Sequence, residues 1–138
     1  MAILSVPFEL YVRWKLPPVR VVEEDLDDAE YLYQVYDHAG AKVCEVSTTM
    51  LRSDPRLFVR GILVASGRER QRFGTAAVYK IARMHRRCIV PVKETGPGIS
   101  FWRKLRRWSG VSFQVMHQVS KDELRAIVAA ASTTVAAS

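Results

Sequence analysis

The sequence predicts a single α/β domain: a mixed β-sheet of about six strands with helices on both faces. Three observations predict it. The 138-residue length fits one compact domain, and 49% hydrophobic with 25% charged residues can fill a core and solvate its outside. The first third of the chain carries period-two alternation and turn residues, the pattern of antiparallel strands. From residue 57 onward strand-like apolar runs alternate with helix-period segments, the order in which parallel crossovers are built.

The elements follow in order. Phe8, Leu10, Val12, Trp14 and Leu16 alternate with Glu9, Tyr11, Arg13 and Lys15, which predicts a half-buried strand, with a short helix begun by Pro7 as the alternative. Pro17 and Pro18 end it, since neither donates a ladder hydrogen bond. An acidic segment (Glu23, Glu24, Asp25, Asp27, Asp28, Glu30) comes next; it could neutralise part of the basic region or mark a loop that repels the wrong partner. Tyr31–Tyr36 and Lys42–Thr49 read as a hairpin about the Asp37-His38-Ala39-Gly40 turn. Asp54-Pro55 marks a further turn, and Leu57–Ala65 (LFVRGILVA) has the composition of a central strand.

Gly67–Gly74 is a polar, glycine-bounded loop. Val78, Ile81, Ala82 and His85 fall at helical spacing, so Thr75–Arg87 is an amphipathic helix. Cys88–Val92 is a short strand whose internal proline puts it at an edge or bulge. Phe101, Leu105 and Trp108 share one face of a helix over about 99–108, stopped by Gly110. Val111–Val119 alternates as a last strand. Ser120-Lys121-Asp122-Glu123 is a capping box opening a helix to about Ala131, with a small-residue tail over 132–138 expected to be loose.

Charge is distributed unevenly. Residues 1–67 hold 7 basic and 10 acidic side chains, a balance of −3; residues 68–107 hold 12 basic and 2 acidic, a balance of +10. Such a block attracts polyanions (nucleic acid, an anionic membrane surface or a phosphate-rich cofactor), so a nucleic-acid or protein partner through residues 68–107 is one expectation; a solvated outer face of two helices is the plain alternative. FWRKLRRW (residues 101–108) also has the composition of an interfacial helix, although its three apolar side chains suffice to bury it against a sheet. No apolar run approaches the roughly 20 residues of a membrane span, and no secretory signal is evident. Cys44 and Cys88 have neither metal nor disulfide spacing; two free thiols fit a reducing, cytoplasmic location. His117 reads as a core histidine, His85 as a helix-packing residue and His38 as a turn residue.

A loop entering a helix N-terminus is a natural anion site, because unpaired N–H groups converge there and the helix dipole favours negative charge. Gly74, with the small Thr75 and Ala76, permits close approach of a phosphate. The spacing is neither GxxxxGK[ST] nor GxGxxG. Gln71-Arg72-Phe73-Gly74-Thr75-Ala76 instead resembles the Q/R-x-x-G-x-G/A signature of the GNAT superfamily of acyl-CoA N-acyltransferases. Phe101-Trp102-Arg103-Lys104-Leu105 resembles that family's FYxKL helix, and the resemblance spans roughly residues 57–113. It implies a GNAT-like fold, acetyl-CoA or another acyl-CoA as cofactor, and acyl transfer to an amine of a protein or small molecule. It also implies that Gln71, Arg72, Phe73, Gly74, Thr75 and Ala76 hold the pyrophosphate and that Val64, Ala65 and Ser66 hold the pantetheine arm. Arg68, Arg70 and Arg72 would offset phosphate charge.

The sequence departs from the family pattern at the chemistry. Trp102 stands where the family has a tyrosine that protonates the thiolate, and indole has no titratable proton near neutral pH. Arg60 stands on a strand where many members carry a glutamate base. The remaining candidate bases are Glu94, at the end of the 88–92 strand, and Glu45, on the 42–49 strand. The acceptor wall is short, so it is either reduced or supplied by another subunit of a homo-oligomer. A catalytically inactive binding or structural module of the same fold, using its basic face, is therefore the alternative.

Overall fold

The structure, a computed structural model, describes residues 16–69, 71–94, 96–108 and 114–137. Among them run β1 (Arg20–Asp25), β2 (Glu30–Tyr36), β3 (Lys42–Thr49), β4 (Arg56–Val64), α1 (Phe73–His85), β5 (Cys88–Pro91), α2 (Pro97–Trp108) and α3 (Lys121–Ala137). The five strands form one mixed sheet in chain order, β1 to β4 antiparallel and β4 to β5 parallel. The parallel pair needs a crossover, and α1 supplies it.

Carboxylates build the turns. Asp37 Oδ1 accepts the N–H groups of Ala39 and Ala41, each at 2.9 Å, and closes the β2–β3 turn. Asp25 Oδ1 accepts the Asp27 N–H at 2.8 Å in the β1–β2 turn. There Asp27 and Asp28 adopt left-handed φ values of 70° and 54°, a conformation aspartate tolerates better than most residues. Arg87 ties the βαβ unit at its base: its Nη1 donates to the carbonyls of Leu51, Asp54 and Arg56 at 2.9, 2.6 and 3.3 Å.

Both faces of the sheet are covered at the β4–β5 side. Tyr33, Val35, Val46, Leu57 and Val59 pack with Val78 and Ile81 of α1 and with Trp102 and Leu105 of α2. On the opposite face Phe58, Val90 and Val92 pack with Leu124, Ile127 and Val128 of α3. Alternation along β4 and β5 assigns odd positions to one core and Phe58 and Val90 to the other. A shift of register opposite Ser47/Thr48 inserts Arg60 into β4, so that Ile62 and Val64 return to the α1 side.

The α/β class with a mixed sheet and most elements match the expectation, with some differences. The acidic segment is not a loop: it supplies β1, which among the described residues lies at the edge of the sheet and is almost wholly exposed. Among the described residues the sheet has five strands, not six. The strand expected over Phe8–Leu16 lies outside the described residues except for Leu16. Of the strand expected over Val111–Val119, residues 111–113 are not described, and the remainder makes two isolated parallel bridges, Val115 with Ile89 and Val119 with Val92. Between the bridges this segment spends four residues where β5 spends three, so it is not a regular strand there, and His117 is exposed rather than in the core. Finally, α3 continues to Ala137 instead of ending near Ala131, as the strong helix propensity of its alanines allows.

Candidate functional site

The site begins where β5 stops following β4. Pro91 has no N–H to give, and the Val92 N–H makes the last bond across the pair, to the Val59 carbonyl at 2.9 Å. Lys93 then adopts a left-handed φ of 55° and turns its N–H to the Val119 carbonyl, at 2.9 Å. From there the chain leaves the sheet, while β4 continues to Val64 paired only with β3. The Ala65 N–H bonds the Val43 carbonyl at 2.9 Å. Antiparallel alternation therefore directs the main-chain groups of Gly61 and Leu63 to β3 and leaves those of Ile62 and Val64 on the open edge.

A cavity of about 810 Å³ fills this wedge. The open edge of β4 forms one wall, the first turn of α1 a second, and Phe101 and Trp102 of α2 a third. Lys93 and Glu94 border it where the strands part. Arg72 caps α1 in a left-handed conformation, φ 66°, without a side-chain cap bond, and the first turn carries no acid. Ala76 N–H bonds the Arg72 carbonyl at 3.0 Å, so the N–H groups of Phe73, Gly74 and Thr75 precede the helical ladder and have no acceptor within it. All three residues line the cavity, which gives it an end suited to an anion. A methyl group on Gly74 would meet Phe101 at 3.4 Å and Ile62 at 3.7 Å, ordinary contact distances, so packing alone does not require a glycine here.

Of the residues expected at the cofactor, Val64, Arg72, Phe73, Gly74 and Thr75 line the cavity. Ala65 and Ser66 do not; Ala65 continues the pairing with β3 and accepts the Arg68 N–H at 2.9 Å in a turn. Gln71 braces the loop, donating to the Gly67 carbonyl at 3.4 Å and accepting from Arg68 at 3.3 Å. Ala76 faces a second, open cavity of about 730 Å³ between residues 16–19 and the other side of α1. Arg68 borders the wedge but is committed to Asp37 at 2.8 Å. The Asp37 carboxyl is held below the usual carboxylate range, first by the Ala41 N–H and then by the Arg68 guanidinium and the Ala39 N–H. Arg70 lies outside the described residues.

The two candidate bases part company. Glu94 lines the wedge, its side chain 5% exposed, with both oxygens engaged by Arg106; Nη1 to Oε1 is 3.1 Å. Arg106 also donates to the Met116 carbonyl at 3.0 Å, so the pair fastens α2 to residues 114–119. Glu45 pairs with Lys42 and sits opposite Gln34 and Leu63, on the sheet face away from α1; it does not line the wedge.

Among the wall residues that escaped the sequence as site residues are Lys93, for which no signal exists, and Arg60, whose signal is a lone charge inside the apolar run LFVRGILVA. At the far end of α1, His85 is not simply a packing residue. Its Nε2 lies 2.9 Å from both the Tyr33 hydroxyl and Glu23 Oε1, and the Tyr33 hydroxyl donates to Glu23 at 2.6 Å. Burial, reinforced by Glu23, raises the Tyr33 pKa well above that of a free phenol. Neither of the two cavities described above is lined by these three residues.

Among the described residues no group of three or more His, Cys, Asp or Glu is placed to hold a metal ion, and no helix is long and apolar enough to cross a membrane. No protein-family model matches the chain. No curated protein matches it either.

Proposed function

We propose that the protein binds an acyl-CoA in the wedge between β4 and β5 and transfers the acyl group to an amine, as the resemblance to the GNAT N-acyltransferases implies. One observation carries this reading: the strands part beside an uncapped helix N-terminus, so an extended arm can lie along β4 while its phosphates meet α1. The open-edge groups of Ile62 and Val64 can bond the amides of a pantetheine arm as a further strand would. The N–H groups of residues 73–75, with Arg72, Lys93 and Lys104 on the cavity wall, suit a pyrophosphate. In the transfer the amine nitrogen bonds the thioester carbon, the C–S bond breaks, the amine loses a proton and the departing thiolate gains one. A β4 edge N–H serves as donor to the oxyanion.

Proton transfer is the weak point, and it favours one alternative. Glu94 must yield one of its Arg106 bonds before it can accept a proton, and Trp102 cannot protonate a thiolate. A module that binds acyl-CoA without turnover is the second reading, and the exposed Arg103, Lys104 and Arg107 on α2 give it a basic face for nucleic acid or a protein partner. Isothermal titration with acetyl-CoA and desulfo-CoA tests the shared premise. One site per chain is expected, and the absence of heat with either ligand refutes it. Release of free thiol in the presence of amines then separates enzyme from module, while binding to oligonucleotide that weakens steeply with salt marks the basic face as a nucleic-acid surface.

A further inference from the structure

Strand β1 ends the sheet on the side away from the wedge, and among the described residues no strand pairs with its outer edge. Two bonds fix the direction of its main chain. The Leu26 N–H bonds the Glu30 carbonyl at 2.9 Å in the register of β1 with β2, and the Met50 N–H bonds the Ala29 carbonyl at 2.9 Å in the register of β2 with β3. Antiparallel alternation then turns the main-chain groups of Arg20, Val22 and Glu24 toward β2 and leaves those of Val21, Glu23 and Asp25 on the open edge. The side chains alternate as well. Val21 packs against the core and Glu23 meets Tyr33 and His85 on the α1 side. Arg20, Val22 and Glu24 are exposed on the other face, with Arg20 over the Tyr36 ring at 4.5 Å and Val22 40% exposed.

An open edge of this kind is a template for a further strand. A second β1 laid antiparallel must set open-edge residues against open-edge residues, so the pairing has to be centred on a residue. Centring on Glu23, Glu24 or Asp25 puts like charges directly opposite each other, which is destabilising. Centring on Val21 keeps only Arg20, Val21 and Val22 of the strand in register. Centring on Val22 keeps Arg20 to Glu24. In that register Val21 and Glu23 exchange main-chain bonds with the partner's Glu23 and the partner's Val21. Val22 meets the partner's Val22 on the exposed face, and each Arg20 lies opposite the partner's Glu24. The remaining acids have local work: Glu23 accepts from Tyr33, and Asp25 from the Asp27 N–H.

We propose that β1 pairs with β1 of a second copy of this chain, antiparallel about Val22. The two-fold axis through Val22 makes the contact self-complementary and closes the assembly. The sheet continues across it, and the two wedges lie at its far ends, because β4 and β5 are on the side opposite β1. Contact confined to one strand pair belongs with the smaller, transient interfaces, so the dimer forms at high protein concentration.

Sedimentation velocity on the full chain from about 10 µM to about 1 mM tests this, and the apparent mass is expected to move from one chain toward two. Arg20→Glu puts carboxylates opposite each other, and Glu24→Arg does the same with guanidinium groups. Each change occurs twice in the dimer and should weaken association about tenfold. Combining the two substitutions restores the opposite-charge pairs and should recover association. Val21→Pro removes an open-edge N–H and no bond of the β1–β2 ladder, so it should also weaken association while circular dichroism shows the strands retained. A chain that remains single at about 1 mM overturns the inference. So does association that ignores the single charge changes, fails to return in the combined variant or tolerates Val21→Pro. If the charge variants do not fold, Val21→Pro alone decides.

Discussion

Gly74 separates two reasons for a glycine, and Gly74→Ala distinguishes them. The residue lies in the first turn of α1 with no positive φ, so an alanine adopts its conformation without strain. Its added methyl meets Phe101 at 3.4 Å and Ile62 at 3.7 Å, ordinary contact distances. Replacing a helical glycine by alanine stabilises by about 0.5–1 kcal/mol, which for a chain of this length corresponds to about 2–4 °C in melting temperature. The same methyl stands at the mouth of the helix N-terminus, where a phosphate must approach the backbone. Gly74→Ala is therefore expected to raise the melting temperature measured by circular dichroism and to weaken acetyl-CoA binding measured by titration. Gly74→Leu, whose further carbons must enter the Phe101 contact or the cavity, should lower both. A fall of more than about 2 °C for the alanine variant would refute the packing argument. Unchanged affinity in a variant that folds would refute the phosphate role.

Three other outcomes follow from the geometry. Leu105→Ala removes a side chain only 1% exposed between α2 and the sheet and should cost about 2–5 kcal/mol, read from urea unfolding. Asp37 has a depressed carboxyl pKa, so its contribution to stability is present above the unfolded value near 4 and is lost as the pH falls through the folded one. The melting-temperature gap between the unaltered protein and Asp37→Asn should accordingly be full at pH 7 and close on acidification below about pH 4; a gap that widens there contradicts the assignment. Burial pushes the Cys44 thiol up to about 11, with Glu45 adding to the shift, whereas Cys88 is partly exposed. A thiol reagent at pH 8 should modify Cys88 in the folded protein and reach Cys44 only after denaturant is added.

Much of the architecture could be read from period and turn chemistry, because β2 to β5 and the three helices each bury a regular face. Strand β1 could not. Its sequence, RVVEED, has no alternation, since an edge strand with little packed against it needs none; Arg20, Glu24 and Asp25 are exposed. The end of the cavity at the start of α1 was legible in Arg72, Gly74 and Thr75, as the start of a helix has a local signature. The narrow end was not. It exists because Lys93 turns left-handed and takes β5 away from β4, a backbone event with no signature in residue type. Glu94 was recognised by its place at a strand end, but the Arg106 that occupies it comes from another element 12 residues away, and pairings of that kind are decided in three dimensions.

The sequential strand order bears on how the molecule assembles. Strands β1 to β4 are hairpin neighbours joined by short turns, so their contacts close small loops and can form early. The parallel β4–β5 pair must wait until α1 has folded and laid β5 against β4, and the wedge does not exist until it has. Any ligand of the wedge therefore binds only the finished chain, and its binding energy acts against the opening of the last part to form. Hydrogen exchange should show this directly: saturating ligand should protect β5 and α2 more strongly than the β1–β2 hairpin, whose amides exchange through their own local openings.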